Sequence, residues 1–370
     1  MTAAPPSRLL VRGVNWLGDA VMTTPALLRL RAALPAAHVT LLTPAKLRDP
    51  WTAFPAVDEV IPVAVGEGVF AVARRLRAGR FDAALILPNS PRSALEAWLA
   101  RIPRRLGLAP PWRTWMLTQP LPPRHDELRM TKRSVGEIHA ALASPSPIPH
   151  SPFTRSLAAH HIHHYLHLAA ALGADPAPVA PLLVLTPEEQ AEARAGLPGV
   201  ASAAGTLWAG LNPGAEYGPA KRWPAERFIA AAQEVSRKTG CRWAVFGGAR
   251  DAWLAAGIAA ELPGAVNLAG RTTLRQLMVA LAACRVLLTN DTGPMHLAAA
   301  LGVPVVVPFG STSPELTGPG LPGDARHALI RGEAPCAPCF LRQCPVDFRC
   351  MKSITPERVA AEVVARLTRG

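Results

Sequence analysis

Apolar positions near the amino terminus fall first into a short run and then into a helical stripe. Leu9 to Val14 reads as a strand interrupted by Arg12, and it runs into Asn15-Trp16-Leu17-Gly18-Asp19. A helical pattern over Ala20 to Leu34 follows and is closed by Pro35. Val39 to Thr43 is a second strand. Strand, loop, helix and strand in that order make a βαβ unit, which predicts a parallel sheet with right-handed crossovers. A helix over Val69 to Ala78, a strand over Ala83 to Leu87 and a helix over Pro91 to Arg101 extend it. From Pro103 to Pro152 the period is lost among Pro, Arg, Ser and Trp, so an extended or mobile surface segment is expected.

A helix carrying His160, His161, His163, His164 and His167 then leads to Gly173, and Asp175 to Pro181 reads as an interdomain linker. The i, i+3 and i, i+4 histidine spacings suit a solvated helix face better than a metal site. Beyond the linker the alternation restarts, with strands at Trp208 to Leu211, Trp243 to Phe246, Val286 to Leu288 and Val303 to Val307. Helices near Pro224 to Lys238, Ala252 to Leu262, Leu274 to Ala283 and Met295 to Leu301 lie between or after them. Two α/β domains in series are expected, 1–178 and 179–354, followed by a last helix near Thr355 to Arg366.

Composition adds three constraints. Apolar residues make up 49% of the 370 and charged residues 18%, enough for two cores and incompatible with global disorder. The net charge of +13 rests on 34 arginines and only five lysines, and the first 180 residues hold 20 basic against 11 acidic side chains. That excess favours nucleic acid, an anionic membrane surface or a phosphorylated substrate as partner. No signal-peptide core precedes Met22, and the longest apolar run, Leu297 to Phe309, is broken by Gly302, Pro304 and Pro308 and falls short of the ~20 residues of a spanning helix. A cytoplasmic protein, at most peripheral to a membrane, is expected.

Three loops carry candidate chemistry. Gly13 to Asp19 lies at the carboxyl end of the first strand, where open parallel sheets bind ligands, and it is not a G-x-G-x-x-G turn. Asp19 there reads either as a helix cap or as a catalytic carboxylate. In Asn212 to Pro224, Gly214 and Gly218 leave backbone N–H groups open, and Lys221 and Arg222 bring positive charge just before a helix, as a phosphate site requires. In Thr289 to His296, the amides of Thr292 and Gly293 at a helix start suit a diphosphate, while Asp291 and His296 can reach the same place. Asp251, after Phe246-Gly247-Gly248-Ala249-Arg250, is a weaker candidate for a ribose diol. Trp98, Trp112 and Trp115, interleaved with arginines up to Arg133, suit nucleic acid, a phosphorylated sugar or lipid headgroups.

At these motifs, and over nearly the whole length from Arg8 to Val364, the chain resembles glycosyltransferase family 9, the lipopolysaccharide heptosyltransferases, those of type II in particular. The resemblance implies a GT-B fold, two Rossmann-like domains with parallel sheets facing across a cleft, the first binding acceptor and the second binding nucleotide sugar. The last helix, about 355–370, would pack back on the first domain. The implied reaction is inverting, metal-independent transfer of L-glycero-D-manno-heptose from ADP-heptose to the first heptose on Kdo and lipid A. Asp19 matches the family's general base and Lys221 its phosphate lysine. Gly214, Ala215, Glu216, Tyr217, Asp251, Asp291, Thr292, Gly293 and His296 are expected at the donor. An acceptor dense in phosphate and carboxylate is expected against Asn15, Trp16, Gly18, Ser90, Arg92, Arg104 and Arg105, at the inner face of the inner membrane. Type I transfer, or another nucleotide sugar, remains the alternative within the family.

Cys336, Cys339, Cys344 and Cys350 form C-x₂-C-x₄-C-x₅-C in an otherwise cysteine-poor chain. The first interval is a zinc-ligand spacing, so structural Zn or an Fe–S cluster competes with free thiols and with disulfides. No cofactor is expected in catalysis. With such a metal site, a basic nucleic-acid-binding protein is the reading from another class, although no RNP, KH or helix-turn-helix pattern accompanies it.

Overall fold

The computed structural model describes residues 4–124, 131–143, 159–201 and 205–368. The chain forms two compact units, Met1–Glu127 with His161–Val184 and Leu128–His160 with Leu185–Gly370.

The first unit is built on β1 (Arg8–Arg12), β2 (His38–Pro44), β3 (Glu59–Val63), β4 (Ala83–Ile86), β5 (Arg104–Leu108) and β6 (Gln119–Leu121). They form one parallel sheet in the order β3-β2-β1-β4-β5-β6. The second unit holds β7 (Trp208–Asn212), β8 (Arg242–Val245), β9 (Val266–Asn267), β10 (Leu287–Thr289), β11 (Val305–Phe309) and β12 (Ala328–Arg331). Its parallel sheet runs β12-β11-β10-β7-β8-β9. Both orders are the doubly wound arrangement, in which the chain adds strands on one side of its first strand and then crosses to the other. The inner strands bury apolar runs because helices cover both faces: Leu9, Leu10 and Val11 are fully buried, as are Val305, Val306 and Val307. The direction of winding reverses between β1 and β4 in one sheet and between β7 and β10 in the other, so the loops after these four strands are where a ligand is expected.

Several expectations change. The helix predicted over Ala20 to Leu34 is two helices, Leu17–Met22 and Thr24–Ala33, because Pro25 tolerates only the first turn of a helix. The segment expected to be extended from Pro103 instead contributes β5, β6 and the helix Val135–Ala143, and its stretch 144–152 lies outside the described residues. β5 opens with two arginines, and β6 carries Pro120, which a strand tolerates at a sheet edge. Part of this segment joins the second unit: the Arg133 amide donates to the Cys339 carbonyl at 3.1 Å, and Ile138 is buried in the second core. The last helix, Pro356–Thr368, packs on the helix Ala225–Thr239 and buries Val359, Val363 and Leu367 in that same core. Its apolar stripe is what that core receives.

Candidate active site

In the second unit the loops after β7 and β10 are tied together by buried amides. Asn290 accepts from the Trp223 amide at 2.9 Å and donates to the Pro213 carbonyl at 2.8 Å, while Asn212 donates to Thr289 Oγ1 at 3.2 Å. Trp223 is buried, so the loop is pinned at its far end as well. Between these anchors, Gly218 has φ of +156°, and a Cβ there would lie 2.4 Å from the Arg342 carbonyl oxygen. A Cβ on Gly214 would lie 2.4 Å from Asp251 Oδ2. These two glycines therefore permit close approach rather than mere flexibility.

Lys221 projects from a short 3-10 turn, Pro219–Lys221, and its Nζ donates to Asp291 Oδ2 at 2.6 Å. Thr312 Oγ1 donates to the same oxygen at 2.7 Å. Tyr217 lies under two cations, Lys221 Nζ at 5.0 Å and Arg342 Cζ at 5.2 Å from its ring centre, and its hydroxyl donates to the Phe340 carbonyl. Thr292 begins the helix Gly293–Ala300 from an extended conformation without a side-chain cap, and His296 is buried one turn in. Asp251 accepts from Arg222 at 3.2 Å and from the Gly248 amide at 3.3 Å, so it organises its own turn. Ala215 is buried and Glu216 exposed. Lys221, Asp291, Tyr217 and the start of the helix at Gly293 thus come together around one strand-end position. A charge-assisted pair next to an uncapped helix start is an arrangement that accepts a phosphate group.

In the first unit, Asp19 sits in the first turn of Leu17–Met22, half-buried, with Tyr165 Oη donating to its Oδ1 at 3.3 Å. Burial, and then the neighbouring Asp19 carboxylate, push the Tyr165 phenol well above its ordinary range. Asn15 and Trp16 are exposed, and Lys46 Nζ stands 5.8 Å from the Trp16 ring centre. Ser90 caps the helix Pro91–Leu99, and Arg92 donates to Glu96, which also holds the buried Arg12 at 2.8 Å. Gly18 belongs to the helix with Asp19. Arg104 and Arg105 are not brought to this place. They open β5, at the opposite end of the parallel sheet, and donate to the Ala4 and Met116 carbonyls.

Sequence reasoning missed three residues here. Thr312 follows β11 through Gly310-Ser311, the same strand-to-turn pattern as the other loops, and could have been found from it. Tyr165 was hidden among the histidines. Arg113 is buried and holds the loop after β4 by donating to the Pro88 carbonyl and to Asn89 Oδ1, and burial lowers its pKa to about 10.

The cysteines line one small cavity with Ser311 and Ile138. Burial raises the Cys336 and Cys339 thiols and takes Cys350 to about 12, so these three are protonated in the metal-free chain. Among the described residues no three Cys, His, Asp or Glu side chains are arranged to hold a metal, so the Zn or Fe–S expectation does not fit these residues as placed. Nor do His161, His163, His164 and His167 form such a group; the helix Ile162–Ala170 packs on Thr24–Ala33 and buries Ile162, Tyr165 and Leu166. Among the described residues no helix is long and apolar enough to cross a membrane.

Comparison with known proteins places this geometry. The family model described as glycosyltransferase family 9 (heptosyltransferase) matches residues 69–348. Lipopolysaccharide heptosyltransferase 2 of Salmonella typhimurium is 32% identical over 98% of this chain and 99% of its own length. The solved structure of E. coli ADP-heptose lps heptosyltransferase II superposes with a TM-score of 0.74 at 29% identity, covering 98% of this chain and 99% of that one. A glycosyl transferase family 9 structure from Veillonella parvula gives a TM-score of 0.77 at 24% identity, covering 98% of each chain, and speaks for the fold. Two Rossmann-like units of the GT-B class are the fold in common.

Proposed function

The chain belongs to glycosyltransferase family 9, a heptosyltransferase family, and we propose that it moves L-glycero-D-manno-heptose from ADP-heptose onto the first heptose of the lipopolysaccharide inner core. The observation that carries this reading is the Lys221–Asp291–Thr312 cluster beside the start of the helix Gly293–Ala300, in a chain alike over its full length to type 2 heptosyltransferases.

The chemistry follows from what an in-line displacement at an anomeric carbon demands. The acceptor hydroxyl loses its proton as its oxygen bonds to the anomeric carbon, and Asp19 takes it. The bond to the ADP oxygen breaks on the opposite face, which inverts the configuration. The diphosphate that leaves gathers negative charge, and Lys221 with the first amides of Gly293–Ala300 stabilises it where it develops. Lys221 is pre-positioned by Asp291, and exchanges part of that contact for phosphate when donor binds. Gly214, Ala215, Glu216 and Tyr217 line the approach, Asp251 serves the ribose, and His296 supports Asp291 and Thr292 from one turn below. Asn15, Trp16, Gly18, Ser90 and Arg92 receive the acceptor. No step is drawn through a metal, and EDTA is expected to leave the rate unchanged.

The acceptor is lipid-linked, so we place the enzyme at the inner face of the inner membrane. Trp98, Trp112 and Trp115 are 40%, 49% and 62% exposed on the basic first unit, a composition suited to an anionic interface. Type I specificity or another nucleotide sugar would use the same donor loops, so the acceptor decides between them. A thermal-shift series with ADP, UDP and GDP and their sugars tests the donor: ADP-heptose should raise the melting temperature most, since a ligand that binds only the folded state stabilises it. A larger shift with UDP- or GDP-sugars would overturn the ADP assignment.

A further inference from the structure

Tyr165 is one of two tyrosines in the chain and sits mid-way along the helix Ile162–Ala170. That helix packs on Thr24–Ala33 and buries Ile162, Leu166, Leu168 and Ala169 besides Tyr165, so apolar side chains are already at hand to secure its packing. The Tyr165 ring is buried, 6% exposed, with the His164 ring edge-on at 5.3 Å. A phenylalanine would fill the same volume without the cost of taking a hydroxyl out of water. The hydroxyl is present, and it is 3.3 Å from Asp19 Oδ1.

We propose that Tyr165 is a positioning residue for the transfer, its buried hydroxyl fixing the rotation of the Asp19 carboxylate that removes the acceptor's proton. This rests on the assignment of Asp19 as the base. Catalytic bases are commonly oriented by a third group that takes no part in bond making, and a 1 Å error in placing a base is costly in rate. Tyr165 suits that task because it cannot compete for the proton: the burial and the adjacent carboxylate that raise its ionisation keep it a donor across the working pH range. Its two ends also couple elements far apart in sequence, since residue 165 reaches the turn that follows β1 across 146 positions.

A double-mutant cycle tests the proposal. Tyr165→Phe should lower kcat roughly 10- to 150-fold, the range for a lost hydrogen bond to a charged group, with both KM values within about twofold of wild type. In an Asp19→Asn background the same change should cost nothing further, because the group it positions no longer acts as a base. Leu166→Ala serves as the packing control on the same helix and should lower the melting temperature without reproducing that kcat loss. Unchanged kcat in Tyr165→Phe, an equal loss in both backgrounds, or the same kcat loss in Leu166→Ala would each overturn the positioning role. Near-normal turnover in Asp19→Asn alone would instead overturn the base assignment, whatever Tyr165 does.

Discussion

The loops at the two switch points occupy the same place in the same strand order, but they are held in different ways. In the second unit the buried Asn290, Asn212 and Asp291, with the half-buried Thr312, knit the loops after β7, β10 and β11 to one another. In the first unit Tyr165 ties to Asp19 and the buried Arg12 to Glu96 over long range, but the remaining ties are local and the loop itself is open: Ser90 caps its own helix, Arg92 reaches Glu96 one turn on, and Trp16 is 45% exposed. Side chains already ordered before the diphosphate binds need not be ordered on binding, so rigidity at its site raises affinity. A more exposed set of side chains is where acceptors of different shape can be accommodated. Under the proposed function, this comparison assigns the donor to the second unit and the base and acceptor to the first.

Asp19→Asn should break the comparison most sharply. Turnover is expected to fall by roughly 10²–10⁴, the range for loss of a general base, while ADP affinity by calorimetry stays within about twofold. A matching loss of ADP affinity would mean that the two tasks are not divided between the units as described.

The second expectation concerns stability. Burial takes His327 down to about 4, so the folded state refuses a proton that the unfolded chain binds. Stability is therefore full above the ordinary histidine range and is lost as pH falls from about 6.5 to about 4, by on the order of 3 kcal/mol. Chemical denaturation at pH 7 and pH 4.5 should show this loss, and His327→Asn should flatten that part of the profile. An equally steep profile in the variant would assign the acid sensitivity to other groups.

Lys221→Ala should weaken ADP binding about 10- to 100-fold, as expected when a charge-assisted phosphate contact is removed. The variant also leaves Asp291 facing the phosphates, so a loss at the upper end is anticipated. Thr312→Val should have the smallest effect, a few-fold in ADP affinity, because Lys221 still holds Asp291. If Thr312→Val equalled Lys221→Ala, the threonine would have to contact the donor itself.

Much of this was readable from residue order alone. The strand-to-glycine-to-helix transitions at Gly13, Gly214 and Gly293 marked three of the loops, because a buried parallel strand must be apolar and a close turn must be small. β5 was not readable: in Arg-Arg-Leu-Gly-Leu the arginines project from the strand's start, and Gly107 is needed where a Cβ would lie 3.1 Å from the Ile86 carbonyl oxygen. The positions of Arg104 and Arg105 depend on strand direction, which charge pattern does not encode. Tyr165 meets Asp19, and Thr312 meets Asp291, only through tertiary packing, and no local period announces either contact. The burial of Pro356–Thr368 against Ala225–Thr239 was likewise a choice between two cores that an amphipathic stripe leaves open.

The most direct measurement is transfer itself. Purified protein is incubated with ADP-heptose, in EDTA, with Kdo–lipid A acceptors carrying either no heptose or one, and products are read by mass spectrometry alongside released ADP. The expected result is gain of a single heptose by the once-heptosylated acceptor, with equimolar ADP. Transfer only to the acceptor without heptose would contradict the assigned acceptor, and no transfer to either, with folded protein and intact donor, would contradict the proposed activity.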